Sequence, residues 1–444
     1  MGGMQHPGGW VVVIALALGA LEQPAAAQRT TIEADATLSV GATQTTRGQF
    51  VADPNAEPED APDETTSELF TQLRPGVSMQ TGSPRLTWRA SYVFAGNLSL
   101  SGDQLGAYSN QANVSLAGEL SKFTTITVAA SIAQGGSAFL LAQRPADTGK
   151  AEIRAPGDPS LISASLLESV AWEARKHLTV QHSLIGNLSA PQDAFSERNS
   201  SLSARLALDR VFERDTFGAE ARATVSWLRP LRTDVHLYHS LTNGLVARWN
   251  HDFSVGWNAL ATAGVEQVYT DTGSEPLAFL PTASATVRYA AYNTVGALDF
   301  SHGTASNLQV GAISLTDALT ARAIITLDPR VFRTLAFSAG FLHNEPLGEV
   351  DAQVAAGTGN ALQGDAGFST AIARNVLASA RYSVAYQFGQ AGNLEPTLAH
   401  IFFLSVTASY RNTERPTRAL PTRGTRVDGG DAEGFPVIVD RPAP

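Results

Sequence analysis

The sequence predicts an all-β fold: a single transmembrane, antiparallel, up-and-down β-barrel of about 18 strands, with short turns at one end and longer loops at the other. Three observations carry this. From Leu86 to Tyr410, stretches of roughly ten to fourteen residues place apolar side chains at every second position. These stretches are closed alternately by a very short connection and a long one. Charged residues are only 16% of the chain, against roughly a quarter in a soluble domain, yet no segment beyond the N-terminal region is apolar for long enough to form a membrane helix. Lipid exposure must therefore be spread over alternate positions.

Taken in order, residues 1–27 read as a signal peptide. Trp10 to Leu21 is an apolar core of signal length, and Ala25-Ala26-Ala27 supplies the small residues of a cleavage site before Gln28. Its n-region departs from the usual pattern in holding no Lys or Arg. The barrel is expected over 28–411 as one closed hydrogen-bonded unit without an internal domain seam. Within it, 47–68 is an acidic segment, with Asp53, Glu57, Glu59, Asp60, Asp63, Glu64 and Glu68 and no basic residue after Arg47, broken by Pro54, Pro58 and Pro62. Such a segment stays solvated, and it is placed as the first extracellular loop.

The strand pattern is clearest in two places. Phe217 to Trp227 sets Phe217, Ala219, Ala221, Ala223, Val225 and Trp227 opposite Gly218, Glu220, Arg222, Thr224 and Ser226. Val376 to Phe388 sets Val376, Ala378, Ala380, Tyr382, Val384, Tyr386 and Phe388 opposite a face carrying Ser379, Arg381, Ser383 and Gln387. One face wants hydrocarbon and the other water. The short connections are expected at Gly82 to Pro84, Ser121-Lys122, Lys176-His177, Glu213-Arg214, His251-Asp252, Ala291 to Asn293, Asp328 to Thr334 and Arg374-Asn375. Two strands are less sharply patterned: Leu178 to Gly186, where His182 falls on the apolar face, and Val295 to Ser301, where either phase fits. The last strand, Phe402 to Tyr410, alternates cleanly and ends on an aromatic. The remaining 412–444, rich in Pro and Gly, is expected to be a disordered periplasmic tail; Phe435 to Val439 is its one apolar run, a candidate docking peptide for a periplasmic partner.

Carrying the two-residue phase through each strand puts Arg74, Arg89, Arg205, Arg222, Arg248, Arg288, Arg322 and Arg381 on the inward face, toward the short-turn half. Inward acidic residues include Glu119, Asp209, Glu220, Glu266, Asp299 and Asp365. Pairing Phe212 with Asp215 sets Arg205 directly across from Arg222, and like charges so placed need neutralising by Asp209, Glu220 or an anion. Two readings stand side by side. The arginines stiffen the wall through carboxylate pairs, or, with Asp209 and Glu220, they line a pore and favour anions.

Catalytic patterns are lacking. No histidine is followed two residues later by Ser, His302-Gly303-Thr304 being the nearest approach and read as a loop, and there is no HExxH, P-loop or dinucleotide fingerprint. With no cysteine, the chain offers no disulfide, thiolate metal site or cysteine nucleophile. No enzyme, cofactor, metal or nucleic-acid partner is expected.

The signal peptide, the alternating strands and the aromatic-ended Phe402–Tyr410 segment resemble the Gram-negative bacterial outer-membrane β-barrels, over roughly Thr31 to Arg411. That resemblance implies an outer-membrane location, contact with lipids and lipopolysaccharide, and insertion by the barrel-assembly machinery. Barrels of this size in the class include porins and barrels accompanying polysaccharide export. The function it implies is a channel for hydrophilic solutes or an anionic polymer; the alternative is a non-conducting structural or adhesion barrel with a loop-closed lumen. An aromatic slide for sugars is not foreshadowed, since Phe70 and Phe403 are the inward aromatics while most tyrosines and tryptophans fall outward.

Overall fold

The computed structural model describes residues 29–47, 64–83, 85–100, 108–136, 160–192, 195, 198–229, 238–271, 279–308, 311–347, 359–388 and 396–411. The signal-peptide segment, residues 48–63 of the acidic segment and the tail 412–444 lie outside them. The strands are β1 (Arg29–Arg47), β2 (Glu64–Gly82), β3 (Leu86–Ser99), β4 (Tyr108–Ser121), β5 (Thr124–Gly136), β6 (Ser160–Arg175), β7 (Leu178–Pro191), β8 (Asn199–Val211) and β9 (Asp215–Leu228). They continue as β10 (Tyr238–Ser254), β11 (Trp257–Thr270), β12 (Leu280–Ala290), β13 (Thr294–Asn307), β14 (Ala312–Asp328), β15 (Arg333–Pro346), β16 (Gly359–Ala373), β17 (Val376–Phe388) and β18 (Thr397–Arg411).

All belong to one 18-stranded antiparallel sheet. Each strand pairs with the next, and β18 closes on β1 from Glu33↔Arg411 to Arg47↔Thr397. Closure removes the free edges that lipid could not solvate. The even strand number leaves the first and last strands opening at the same end, the one with the short turns.

The two faces meet the expectation from alternation. Outward positions carry Leu38, Leu73, Leu98, Leu206 and Leu245, each more than half exposed in the isolated chain. A leucine left in water forfeits roughly 1.5–3 kcal/mol, so a whole face of them requires hydrocarbon. The inward face is dressed instead with hydroxyls paired across strands: Ser131 with Ser165 at 2.7 Å, Ser203 with Thr224 at 2.8 Å, Thr262 with Ser284 at 2.7 Å and Thr334 with Ser369 at 2.6 Å. β9 and β17 present the expected residues to each side, Arg205 stands opposite Arg222, and β13 takes the phase that turns Leu298 and Phe300 outward and Asp299 inward.

Beyond shifts of one or two residues at the turns, the structure departs from the sequence reading in three places. The turn expected at His251-Asp252 falls at Val255-Gly256, because β10 runs on to Ser254. Gly256, with φ of 106°, supplies the conformation a two-residue turn needs. His251 instead sits on the outer face between Trp249 and Phe253, stacked on the first at 5.8 Å and edge-on to the second at 4.5 Å. The segment 47–68 is not all loop, since Arg47 closes β1 and Glu64 to Glu68 open β2. His302-Gly303-Thr304 lies within β13 rather than in a loop.

Candidate functional site

The charged lumen wall centres on β8 to β11. There Arg222 reaches Glu266 at 3.2 Å and Glu220 at 3.5 Å, while Arg248 reaches Glu220 at 3.1 Å and Asp209 at 3.6 Å. Glu220 thus lies between two guanidiniums, and Glu266, all but buried, accepts the hydrogen bond of Arg222 Nη1. Room for this comes from Gly244, which pairs across the sheet with both Arg222 and Glu266. A Cβ there would stand 2.9 Å from Glu266 Cγ and 3.1 Å from Arg222 Cγ. The contact of Arg222 Nε with Glu220 is an ion pair without hydrogen-bond geometry, and that nitrogen is buried.

The eight inward arginines therefore fall into two groups. Arg222, Arg248, Arg322 and Arg381 pair with carboxylates, Arg322 through Asp299 at 3.8 Å and Arg381 through Asp365 at 2.7 Å. Arg89, Arg205 and Arg288 make no side-chain hydrogen bond or ion pair with another described residue. Arg74 belongs between them: it feels the charge of Asp35, and its Nε is buried without a hydrogen-bond partner. The sequence anticipated carboxylates beside the facing pair Arg205 and Arg222. Asp209, however, serves Arg248, and Glu266 on β11 completes Arg222, a contact that pairwise reading of the β8–β9 hairpin could not reach.

The inward aromatics Phe70 and Phe403 meet edge-on, ring centres 5.3 Å apart. Among the described histidines, His177 occupies a short turn, and His182, His239, His251, His302, His343 and His400 all stand on the outward phase. No group of three His, Cys, Asp or Glu among the described residues could hold a metal ion. The lumen's chemistry is that of hydroxyls, guanidiniums and carboxylates.

No family model matches the chain, and no curated protein matches it. Solved structures do. One is OccK2 (OpdF) of Pseudomonas aeruginosa, 13% identical, covering 85% of this chain and 98% of that one at a TM-score of 0.38. Another is a BenF-like porin from Pseudomonas fluorescens, 12% identical, covering 84% and 98% at 0.36. A third is the ferric-catecholate import receptor Fiu of E. coli K12, 10% identical, covering 85% and 81% at 0.39. Likeness at this level is one of architecture and transfers no substrate. The chain's own strand pairing makes it a closed 18-stranded antiparallel β-barrel.

Proposed function

We propose that this protein is an outer-membrane channel for passive passage of small hydrophilic solutes. The observation that carries the reading is the division of one closed wall into an apolar outer face and an inner face of hydroxyls and charges. Such a wall is stable only with lipid outside and water within. Signal-peptide cleavage before Gln28, insertion by the barrel-assembly machinery, a lipopolysaccharide-facing rim and a periplasmic partner for the tail complete the proposal.

Selectivity in this reading rests on fewer residues than the sequence suggested. A guanidinium paired with a carboxylate contributes little net field, so Arg205, and Arg89 and Arg288 nearer the short turns, are the inward cations that a passing anion meets. An anionic polymer would need a longer basic track than these provide, and small anions fit the wall better. The test is conductance of the folded protein in planar bilayers under a salt gradient. Discrete channels with a reversal potential on the anion side are expected. Absence of conductance from heat-modifiable protein would reject the channel.

One observation favours the alternative of a closed barrel: Leu228, Val268 and Ile313 form a dry cluster, with Leu280, Leu308 and Leu347 packed on it, at the long-loop end. Silent bilayers would select that alternative.

A further inference from the structure

The dry cluster leads to the long-loop end of β13, which alternation alone places in the wall. Ser226 of β9 and Ser306 of β13 share a hydroxyl hydrogen bond of 2.8 Å, and Asn199 of β8 donates from Nδ2 to the Leu308 carbonyl at 2.9 Å. Neighbouring strands lie roughly 4.8 Å apart, so four intervals along the wall would hold β9 and β13 about 19 Å from one another. The contact forms only if the long-loop end of β13 has left the wall and lies inside the barrel.

Strand length and phase say the same. β12 has 11 residues, and its ladder to β13 stops at Ala283↔His302, whereas β13 stays paired to β14 out to Asn307↔Ala312. At the stopping point Thr282 Oγ1 donates to the His302 carbonyl at 3.1 Å. Beyond it Gly303 passes so close to β12 that a Cβ would stand 2.7 Å from the same hydroxyl. Thr304, Ser306 and Ile313 carry the outward phase, yet their partners are the inward residues Glu266, Ser226, Leu228 and Val268. An outward face can touch an inward face only when one segment lies within the other's lumen.

The contact that joins this segment to the charged wall is Glu266. Its Oε2 accepts from the Thr304 amide at 3.1 Å and from the Thr304 hydroxyl at 2.7 Å, while its Oε1 accepts from Arg222 at 3.2 Å. Resting on the channel reading, we propose that the end of the β13–β14 hairpin is an inward partition of the pore, and that Glu266 is the residue that positions it. A single carboxylate then sets two properties at once. It fixes the width of the path by holding Thr304, and it sets the anion preference by engaging Arg222.

The experiment uses the full mature barrel in planar bilayers, with heat-modifiable mobility confirming that each variant folds. Glu266→Gln keeps the side chain's size and removes its charge. It should raise single-channel conductance, add flicker and move the reversal potential further toward anions. The native chain has no cysteine, so Ser226→Cys with Ser306→Cys in the Glu266→Gln background makes a single reducible tether. Oxidised, that variant should conduct less than when reduced. Separately, Ser306→Cys alone should react slowly with a water-soluble thiol reagent and faster once Glu266→Gln is added, a readout that needs no current. Equal labelling rates in the two backgrounds would overturn the partition whether or not the protein conducts. Equal conductance in the tethered and reduced states would overturn its role in setting width. A parent that never conducts rejects the channel reading, and the labelling still decides the partition.

Discussion

Arg222 and Arg381 stand on the same inward phase, each facing a carboxylate, and their surroundings differ. Arg381 donates to Asp365 from Nη2 at 2.7 Å and from Nε at 3.3 Å. Asp365 also accepts from Gln363 at 3.2 Å, from Ser338 at 3.4 Å and from Ser383, and its side chain is 1% exposed. That is a saturated structural pair in the wall. Arg222 faces a like charge at Arg205, leaves its Nε without a hydrogen bond, and shares Glu266 with the inward segment at Thr304. The difference teaches that facing the lumen does not make an arginine a selectivity residue. What decides is whether the surrounding acceptors have already satisfied it.

The comparison breaks most readily at Asp365. Removing one partner of a buried pair leaves the other charge stranded, at a cost on the order of 3–5 kcal/mol. Asp365→Ala should therefore lower the midpoint of denaturant unfolding of the detergent-folded barrel by far more than Glu220→Ala. Glu220 is one of several carboxylates around Arg222 and Arg248, so its loss is shared. Equal losses at the two sites would remove the distinction between a saturated pair and a shared network.

Next in size is the division of faces on which both regions depend. Ala380 points outward in β17 and Ser379 inward, hydrogen-bonded to Ser405 at 2.5 Å. Arg at Ala380 should destabilise the barrel by roughly 2–4 kcal/mol if it lies near the bilayer midplane. Arg at Ser379 should cost much less, because the lumen hydrates it. Similar costs in refolding titrations would deny the wall its two solvents.

This alternation was legible in the sequence for a physical reason. Each strand meets lipid and water on opposite faces, so the period of two survives in β9 and β17, and the tight Phe212–Asp215 turn fixed the Arg205–Arg222 register. Other features depend on partners far away in sequence. Polar His251 and Asp252 read as a turn, although His251 belongs to an outward aromatic ladder and a glycine four residues beyond Asp252 makes the turn. The inward course of β13 had a faint signal, namely Gly303 followed by Thr304 and Ser306 on what should be a lipid phase. Read against one strand these residues look like weak alternation. Only their contacts with β8, β9 and β11 give them meaning.

The two arginines should also separate electrically. Arg205→Gln removes a cation that no described residue neutralises, so the reversal potential should move toward cations, with the shift shrinking as salt rises and the screening length falls from about 10 Å at 0.1 M to about 3 Å at 1 M. Arg381→Lys keeps the charge and loses the two-nitrogen grip on Asp365. It should leave the reversal potential in place while lowering stability. A matching electrical shift in both variants would mean that the pairing of Arg381 does not remove it from the solute's path.

The smallest effect belongs to a pair at the long-loop rim, between His239 near the start of β10 and Asp271. Just beyond β11, Asp271 accepts from the His239 backbone amide at 2.9 Å and meets its ring Nδ1 at 2.7 Å, with both side chains about half exposed. Partial burial pushes the Asp271 carboxyl up, but the hydrogen bonds and charge of His239 outweigh it and hold the group below its ordinary value. A depressed carboxylate adds stability at pH values above its unfolded value of about 3.9, and that contribution is lost as the pH falls through the folded value. Water around the pair screens it, so the contribution is small compared with Asp365. Unfolding midpoints of the parent and of Asp271→Asn should therefore differ slightly at pH 7 and converge only as the pH falls below the unfolded value and through the lowered folded one, where the carboxyl takes up its proton. A gap that persisted at low pH would assign the role of Asp271 to its hydrogen-bond geometry rather than its charge. A gap as large as that of Asp365 would show that the rim, and not the saturated pair in the wall, holds the barrel's strongest polar contact.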